Sequence, residues 1–259
     1  RMTLTKEAYN LLISLQFKET AESLANLLEN AQHKKPAYVD FLIEVLTHEK
    51  EARNDKALAR RLKQAHFPYY KTLNEFSLAE QPSLSRQQFN QLQSLDWVDW
   101  QYNLILLGPT GTGKTSLSIG LGIRAIQQGY KVGFVTMGEL IRLLKTQDIF
   151  KKAAFRIEFL KKTQLLILDD LMFLALNKTE ANLLFHFIND IFEETAIILT
   201  SNKEPESWGE LIGDEIIAAA ILDRIVAKSE IIQLRGESYR LKHRETLFNR
   251  DESNELVNN

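Results

Sequence analysis

Gly108-Pro109-Thr110-Gly111-Thr112-Gly113-Lys114-Thr115 fits the pattern G-x-x-x-x-G-K-[ST] at every fixed position. The apolar run Asn103–Leu107 precedes it, and a helical run from Ser116 to Gln128 follows. Glycines in such a loop let successive backbone N–H groups turn inward and cradle phosphate oxygens. The helix that follows adds the partial positive charge of its N-terminus. In this setting Lys114 is expected to reach the outer phosphates and the Thr115 hydroxyl to meet Mg²⁺, with Ser116 completing the candidate ligands. An ordinary glycine-rich turn would not need the lysine and the threonine together.

Reading outward from the loop, Leu165-Leu166-Ile167-Leu168-Asp169-Asp170 is an apolar strand ending in two carboxylates. Parallel strands deliver residues to their carboxyl edge, where α/β proteins bind ligands. Asp169 is therefore expected at the metal and Asp170 at the attacking water. Ala196-Ile197-Ile198-Leu199-Thr200-Ser201-Asn202 is a second buried strand with a polar end. Local sequence leaves Asn202 open between orienting that water and serving as a turn residue. Arg224 lies in an otherwise apolar helix beside Asp223. It is either paired locally or offered to a neighbouring subunit's γ-phosphate.

Charged residues make up 25% and hydrophobic residues 44% of the chain, which predicts a globular protein. The net charge of −2 means that any nucleic-acid surface must be a local patch. The absence of cysteine excludes disulfides and thiolate metal sites. No run spans a bilayer and the N-terminus lacks an apolar signal core, so no membrane partner and a cytoplasmic location are expected. Residues 1–66 read as a helical domain that binds DNA or a partner, 67–100 as a connector, 101–250 as an ATPase domain and 251–259 as a disordered tail. Within the connector, Gln87–Trp100 reads as one helix. Strands are expected at 103–107, 131–136, 164–168, 196–200 and 230–234, alternating with helices. The fold class is α/β, a three-layer sandwich around a parallel sheet.

The stretches LLILDDL, ANLLFHFIND, IILTSNKEPESWGELIGDEIIAAAILDRI and LRGESYR, with HFPYYKTLNEF in the connector, resemble the IstB family of AAA+ ATPases. These are transposition helpers encoded beside an insertion-sequence transposase, and DnaC-type helicase loaders are a sister group. The resemblance covers nearly the whole chain. It implies that Gly108–Thr115 is the Walker A loop, Asp169 and Asp170 the Walker B pair and Asn202 the sensor-1 position. It implies that Arg224 is an arginine finger acting on the adjacent subunit and that Arg240 senses nucleotide. It also implies that there is no C-terminal lid. One departure stands out: family members usually carry Asp-Glu, where this chain has Asp169-Asp170. The shorter second carboxylate predicts slow hydrolysis, or hydrolysis gated by assembly or DNA.

Two runs are basic. Lys50, Arg53, Lys56, Arg60, Arg61 and Lys63 face only Glu51 and Asp55, and several recur at helical spacing. Arg142, Lys145, Lys151, Lys152, Arg156, Lys161 and Lys162 face only Asp148 and Glu158. A solvated helix face accounts for either run alone. Two of them beside an assembly ATPase predict contact with phosphate backbones. The expected DNA residues are Arg53, Lys56, Arg60, Arg61, Lys63, Arg142, Lys145, Lys151, Lys152 and Arg156. The resemblance makes the second run the helical insertion that lets subunits stack around nucleic acid.

Taken together, the expectation is an ATP- and Mg²⁺-dependent ATPase that forms a spiral or ring on double-stranded DNA, bends it and presents it to a cognate transposase. One rival is a helicase loader that binds single-stranded DNA and a helicase. The other is a nucleotide-gated binding module with negligible turnover.

Overall fold

The computed structural model describes residues 2–171, 175–212 and 214–236. Helices α1 (Met2–Ser14), α2 (Lys18–Lys34) and α3 (Tyr38–Ala65) come first. Then follow α4 (Arg86–Ser94), α5 (Asp96–Asp99), β1 (Asn103–Leu107), α6 (Lys114–Gln127), β2 (Val132–Thr136), α7 (Met137–Thr146), α8 (Lys151–Lys161) and β3 (Leu165–Asp169). The order closes with α9 (Lys178–Ile191), β4 (Ala196–Ser201), α10 (Trp208–Ile212), α11 (Glu215–Val226) and β5 (Ser229–Gln233). The chain forms two compact units, residues 1–61 and 62–259, and the boundary falls inside α3.

In the larger unit the five strands lie in the order β2-β3-β4-β1-β5, all parallel. Every residue of β1, β3 and β4 is buried. This is what near-continuous Leu/Ile runs require when helices cover both faces. Each Leu or Ile removed from water in this way contributes about 1.5–3 kcal/mol. On one face Leu140, Leu144, Leu184, Phe187, Ile188, Trp208 and Ile221 pack into a single cluster with strand residues Ile105, Val135, Leu168 and Ile197. On the other, α6 approaches the connector so closely that a Cβ on Gly120 would fall 2.7 Å from the Leu73 Cδ2.

Helix starts follow local chemistry. Asn177 and Glu180 form a reciprocal capping box at α9, and the Asp214 carboxylate accepts the Ile216 and Ile217 amides at α11. The helix expected at 87–100 is broken instead. Leu95 takes a left-handed conformation (φ 65°), fully buried, and the chain restarts at Asp96. The Trp97 indole then donates back to the Leu92 carbonyl at 3.0 Å, so side-chain burial outweighs helix continuity here. Among the described residues no helix is long and apolar enough to cross a membrane.

The smaller unit is a set of three helices tied by charge. The buried Glu49 of α3 accepts the Thr20 backbone N–H in the first turn of α2 at 2.7 Å. Arg53 bonds Glu49 at 2.7 Å, donates to the Gln16 carbonyl and lies over the Phe17 ring. Lys56 pairs with Glu19 at 2.6 Å.

Candidate nucleotide site

The loop between β1 and α6 is built as the pattern requires. Gly108 has φ 143°, and a Cβ there would lie 2.1 Å from the Leu234 carbonyl oxygen, so only glycine lets β5 close against the loop. The Thr112 hydroxyl braces the loop by donating to the Pro109 carbonyl at 2.9 Å. Lys114 opens α6, is buried, and donates to the carbonyls of Gly108 (2.7 Å) and Pro109 (2.8 Å).

Opposite the loop, the buried Asp169 ends β3. Thr115 donates to its two carboxylate oxygens at 3.0 and 3.2 Å, and Thr200 donates at 2.6 Å. Burial raises the Asp169 pKa, and the neighbouring Asp170 pushes the same way, against the two hydroxyls and Lys114. A desolvated carboxylate beside a hydroxyl is a hard-oxygen donor pair that fits Mg²⁺, an ion that keeps waters and takes its remaining ligands from phosphates. No cluster of three or more His, Cys, Asp or Glu exists among the described residues, so no all-protein cage competes with that reading.

Asp170 is exposed, with φ 54°. Asp and Asn enter this left-handed region several-fold more readily than other non-glycine residues. The departure from Glu noted in the sequence thus coincides with a backbone conformation that suits the shorter acid. Asn202 follows β4, which lies between β3 and β1.

Lys114, Thr115, Asp169, Asp170, Asn202 and residues Thr110–Gly113 line one cavity of about 730 Å³. Sequence reasoning missed its roof. Tyr69, Glu75, Phe76 and Gln81 of the connector line the same cavity. Gln81 donates to the Thr112 carbonyl, and the Tyr69 hydroxyl lies 3.2 Å from the Ser116 hydroxyl. The aromatic pairs Phe67–Phe134 and Phe76–Phe89 anchor this roof. The aromatics of 66–76 were its only trace in the sequence, since the segment has no periodicity.

Arg224 on α11 forms no ion pair among the described residues. Its guanidinium lies 4.8 Å from the Phe185 ring centroid and 5.9 Å from that of Phe192. It donates to the Asn189 side chain at 3.2 Å and to the Ala220 carbonyl at 2.9 Å. Phe185 and Asn189 of α9, Phe192 just beyond it and the Ala220 carbonyl of α11 thus hold the guanidinium, with no salt bridge among the described residues. Arg240 lies outside the described residues.

The basic runs divide into two sets. Arg53 and Lys56 are engaged within the helical unit, as above, and Lys145 pairs with Glu180 at 2.8 Å. Arg156 is engaged most deeply, donating to the carbonyls of Gln64 (2.7 Å), Ala65 (3.2 Å) and Phe134 (2.8 Å). It thereby caps the C-terminal end of α3, whose last carbonyls lack helical partners. Burial lowers its pKa, with Glu139 opposing. Lys63, Arg60, Arg142, Lys151 and Lys152 are exposed, and Arg61 is half-buried. Beside the last two lysines, Ile149, Phe150 and Phe155 are 73%, 60% and 73% exposed, apolar groups that the charge count did not register.

Comparison with known proteins fits this geometry. In solved structures, AMPPCP-bound DnaA from Aquifex aeolicus aligns with 66% of this chain and 51% of its own (TM-score 0.52, 23% identity). DnaI aligns with 65% of this chain and 89% of its own (TM-score 0.52, 20% identity). Both place the fold among P-loop AAA+ domains. An insertion-sequence IS21 ATP-binding protein of Pseudomonas aeruginosa is 38% identical over 90% of this chain and 88% of its own length. An IS21-like ATP-binding protein of Bacteroides fragilis is 36% identical over 94% and 92%. The family described as IstB-like ATP binding protein matches residues 10–246, which takes in the loop, both carboxylates, the roof and Arg224. The chain therefore belongs to the IstB-like ATP-binding proteins.

Proposed function

We propose that this chain is an ATPase that assembles on double-stranded DNA and prepares it for a transposase. The observation that carries the nucleotide part is the meeting of Thr115 with Asp169 at 3.0 Å on the wall of the cavity that holds the phosphate loop. In this reading the triphosphate lies along Thr110–Ser116, and the base lies under Tyr69 and Phe76. Lys114 exchanges its two loop carbonyls for phosphate oxygens. Thr115 and Asp169 are the residues that would hold Mg²⁺, which when bound offsets charge on the outer phosphates. Asp170 accepts a proton from the attacking water, and Asn202 orients that water.

Arg224 acts in trans. Its aromatic cradle holds a half-buried cation that has no ion pair among the described residues, which is what a finger aimed at a neighbour's γ-phosphate needs. Turnover is then slow in a single subunit and rises with assembly. DNA contact falls to the exposed set Arg60, Lys63, Arg142, Lys151 and Lys152, together with Arg61, and Phe155 and Phe150 add apolar contact beside the last two lysines. The relatives' names, which place them in insertion sequences, support the transposase as the partner.

Sedimentation with duplex or single-stranded DNA, each with ATP or ADP, tests the reading. Large complexes are expected only with ATP and duplex. Binding to single strands alone would favour a helicase loader, and complexes indifferent to nucleotide would remove the assembly switch.

A further inference from the structure

Thr200 is fully buried at the end of β4, between the phosphate-loop strand β1 and the carboxylate strand β3. Its hydroxyl donates to Asp169 at 2.6 Å and accepts the Asp170 backbone N–H at 3.0 Å. Its own carbonyl accepts the Leu171 N–H at 2.9 Å. One residue thus grips three consecutive positions of the turn that carries both carboxylates. The middle position is the left-handed Asp170, whose backbone conformation needs an outside support to persist.

An apolar side chain at 200 would leave the Asp170 amide without its acceptor and Asp169 without its shortest hydrogen bond. Thr115 cannot substitute as the fixed partner, because its hydroxyl is itself a candidate metal ligand. We infer that Thr200 is a positioning residue, fixing the Asp169 carboxylate towards the metal and the Asp170 carboxylate towards water. This rests on the nucleotide reading above. The hydroxyl meets neither substrate nor metal; it acts through the two aspartates.

The test compares Thr200→Ser with Thr200→Ala in the full chain. Both lose the methyl and differ only in the hydroxyl, so the comparison is independent of packing. Thr200→Val serves as the isosteric third variant. Affinity for a fluorescent ATP analogue is measured in EDTA and across a Mg²⁺ titration, with melting temperature followed in both. Supporting outcomes are an Ala variant whose half-saturating Mg²⁺ rises about tenfold or more, as loss of an outer-shell partner does, while its affinity in EDTA stays near wild type. The Ser variant should then match wild type. Equal Mg²⁺ responses in Ser and Ala would overturn the assignment, as would equal losses in EDTA and in Mg²⁺, which mark a purely structural role. A wild-type protein with no Mg²⁺-dependent binding would bring down the nucleotide reading itself, and Thr200's role with it.

Discussion

The two units solve the problem of cohesion in opposite ways. Residues from 62 onward bury whole strands: β1, β3 and β4 expose no side chain. The helical unit buries four residues of α2 and Glu49 of α3, while Leu4, Leu11, Leu15, Val39, Leu42 and Ile43 stay exposed. Its order depends on named polar ties: Glu49 to the Thr20 amide, Arg53 to the Gln16 carbonyl and Lys56 to Glu19. Apolar burial is spread over many contacts and involves no titratable group. A few charge-assisted bonds concentrate stability, so each can be removed singly, and the one centred on Glu49 responds to pH.

The largest effect is expected at the stacked arginine of the larger unit. Arg224→Ala should bind nucleotide normally yet lose about 10³-fold in turnover. Mixing it with Lys114→Ala subunits, each inactive alone, should restore part of the activity by pairing an intact site with an intact finger. Steady-state phosphate release reads both. Full turnover of Arg224→Ala would place the stacked arginine among structural residues.

A smaller effect should separate the units. Glu49→Gln should cost the helical unit about 1.5–3 kcal/mol, the range for a hydrogen bond to a charged group, and leave the sheet unit's melting unchanged. Burial alone would raise the Glu49 pKa. The Thr20 amide and hydroxyl and Arg53 outweigh it, so the folded value lies below the ordinary one. The stability it supplies is therefore complete above the ordinary carboxylate value and fades as pH falls through the folded one. Helicity followed through acid should show the first unit melting ahead of the second, and Glu49→Gln should abolish that early step. A single coincident transition in the wild type would erase the distinction between the units.

The smallest effect is in DNA binding. Arg60→Gln and Arg61→Gln should each lower the slope of log affinity against log salt by about one without changing the melting profile. Lys56→Gln should do the reverse. An unchanged slope in the first two would move the DNA surface elsewhere.

Much of this was legible beforehand. The limits of β1 were readable to the residue, because an apolar run before a glycine loop admits one frame, and the loop's place between β1 and α6 followed from spacing. Asp169 and Asp170 were readable as a strand end. Thr200 was not, because it lay inside the apolar frame of β4 and its role depends on pairing with β3. Arg53, Lys56 and Arg156 were visible as charges, and the Arg53–Glu49 pair has helical spacing, but the Gln16 carbonyl, Glu19 and the acceptors of Arg156 lie 37, 37 and 22 to 92 residues away, beyond any helical period. Leu95 carried no glycine or proline to mark its break. The roof had aromatics without periodicity, so its place over the loop became clear only in three dimensions.

Arg156 has one more consequence, and it concerns what substitution over time can touch. All three of its acceptors are main-chain carbonyls, at Gln64, Ala65 and Phe134. Every residue type offers the same oxygen, so these bonds place no demand of their own on the side chains at those positions. The arginine is not interchangeable in this way, since lysine has no planar fork to reach three oxygens at once. For these three bonds the demand on residue identity falls on the donor alone.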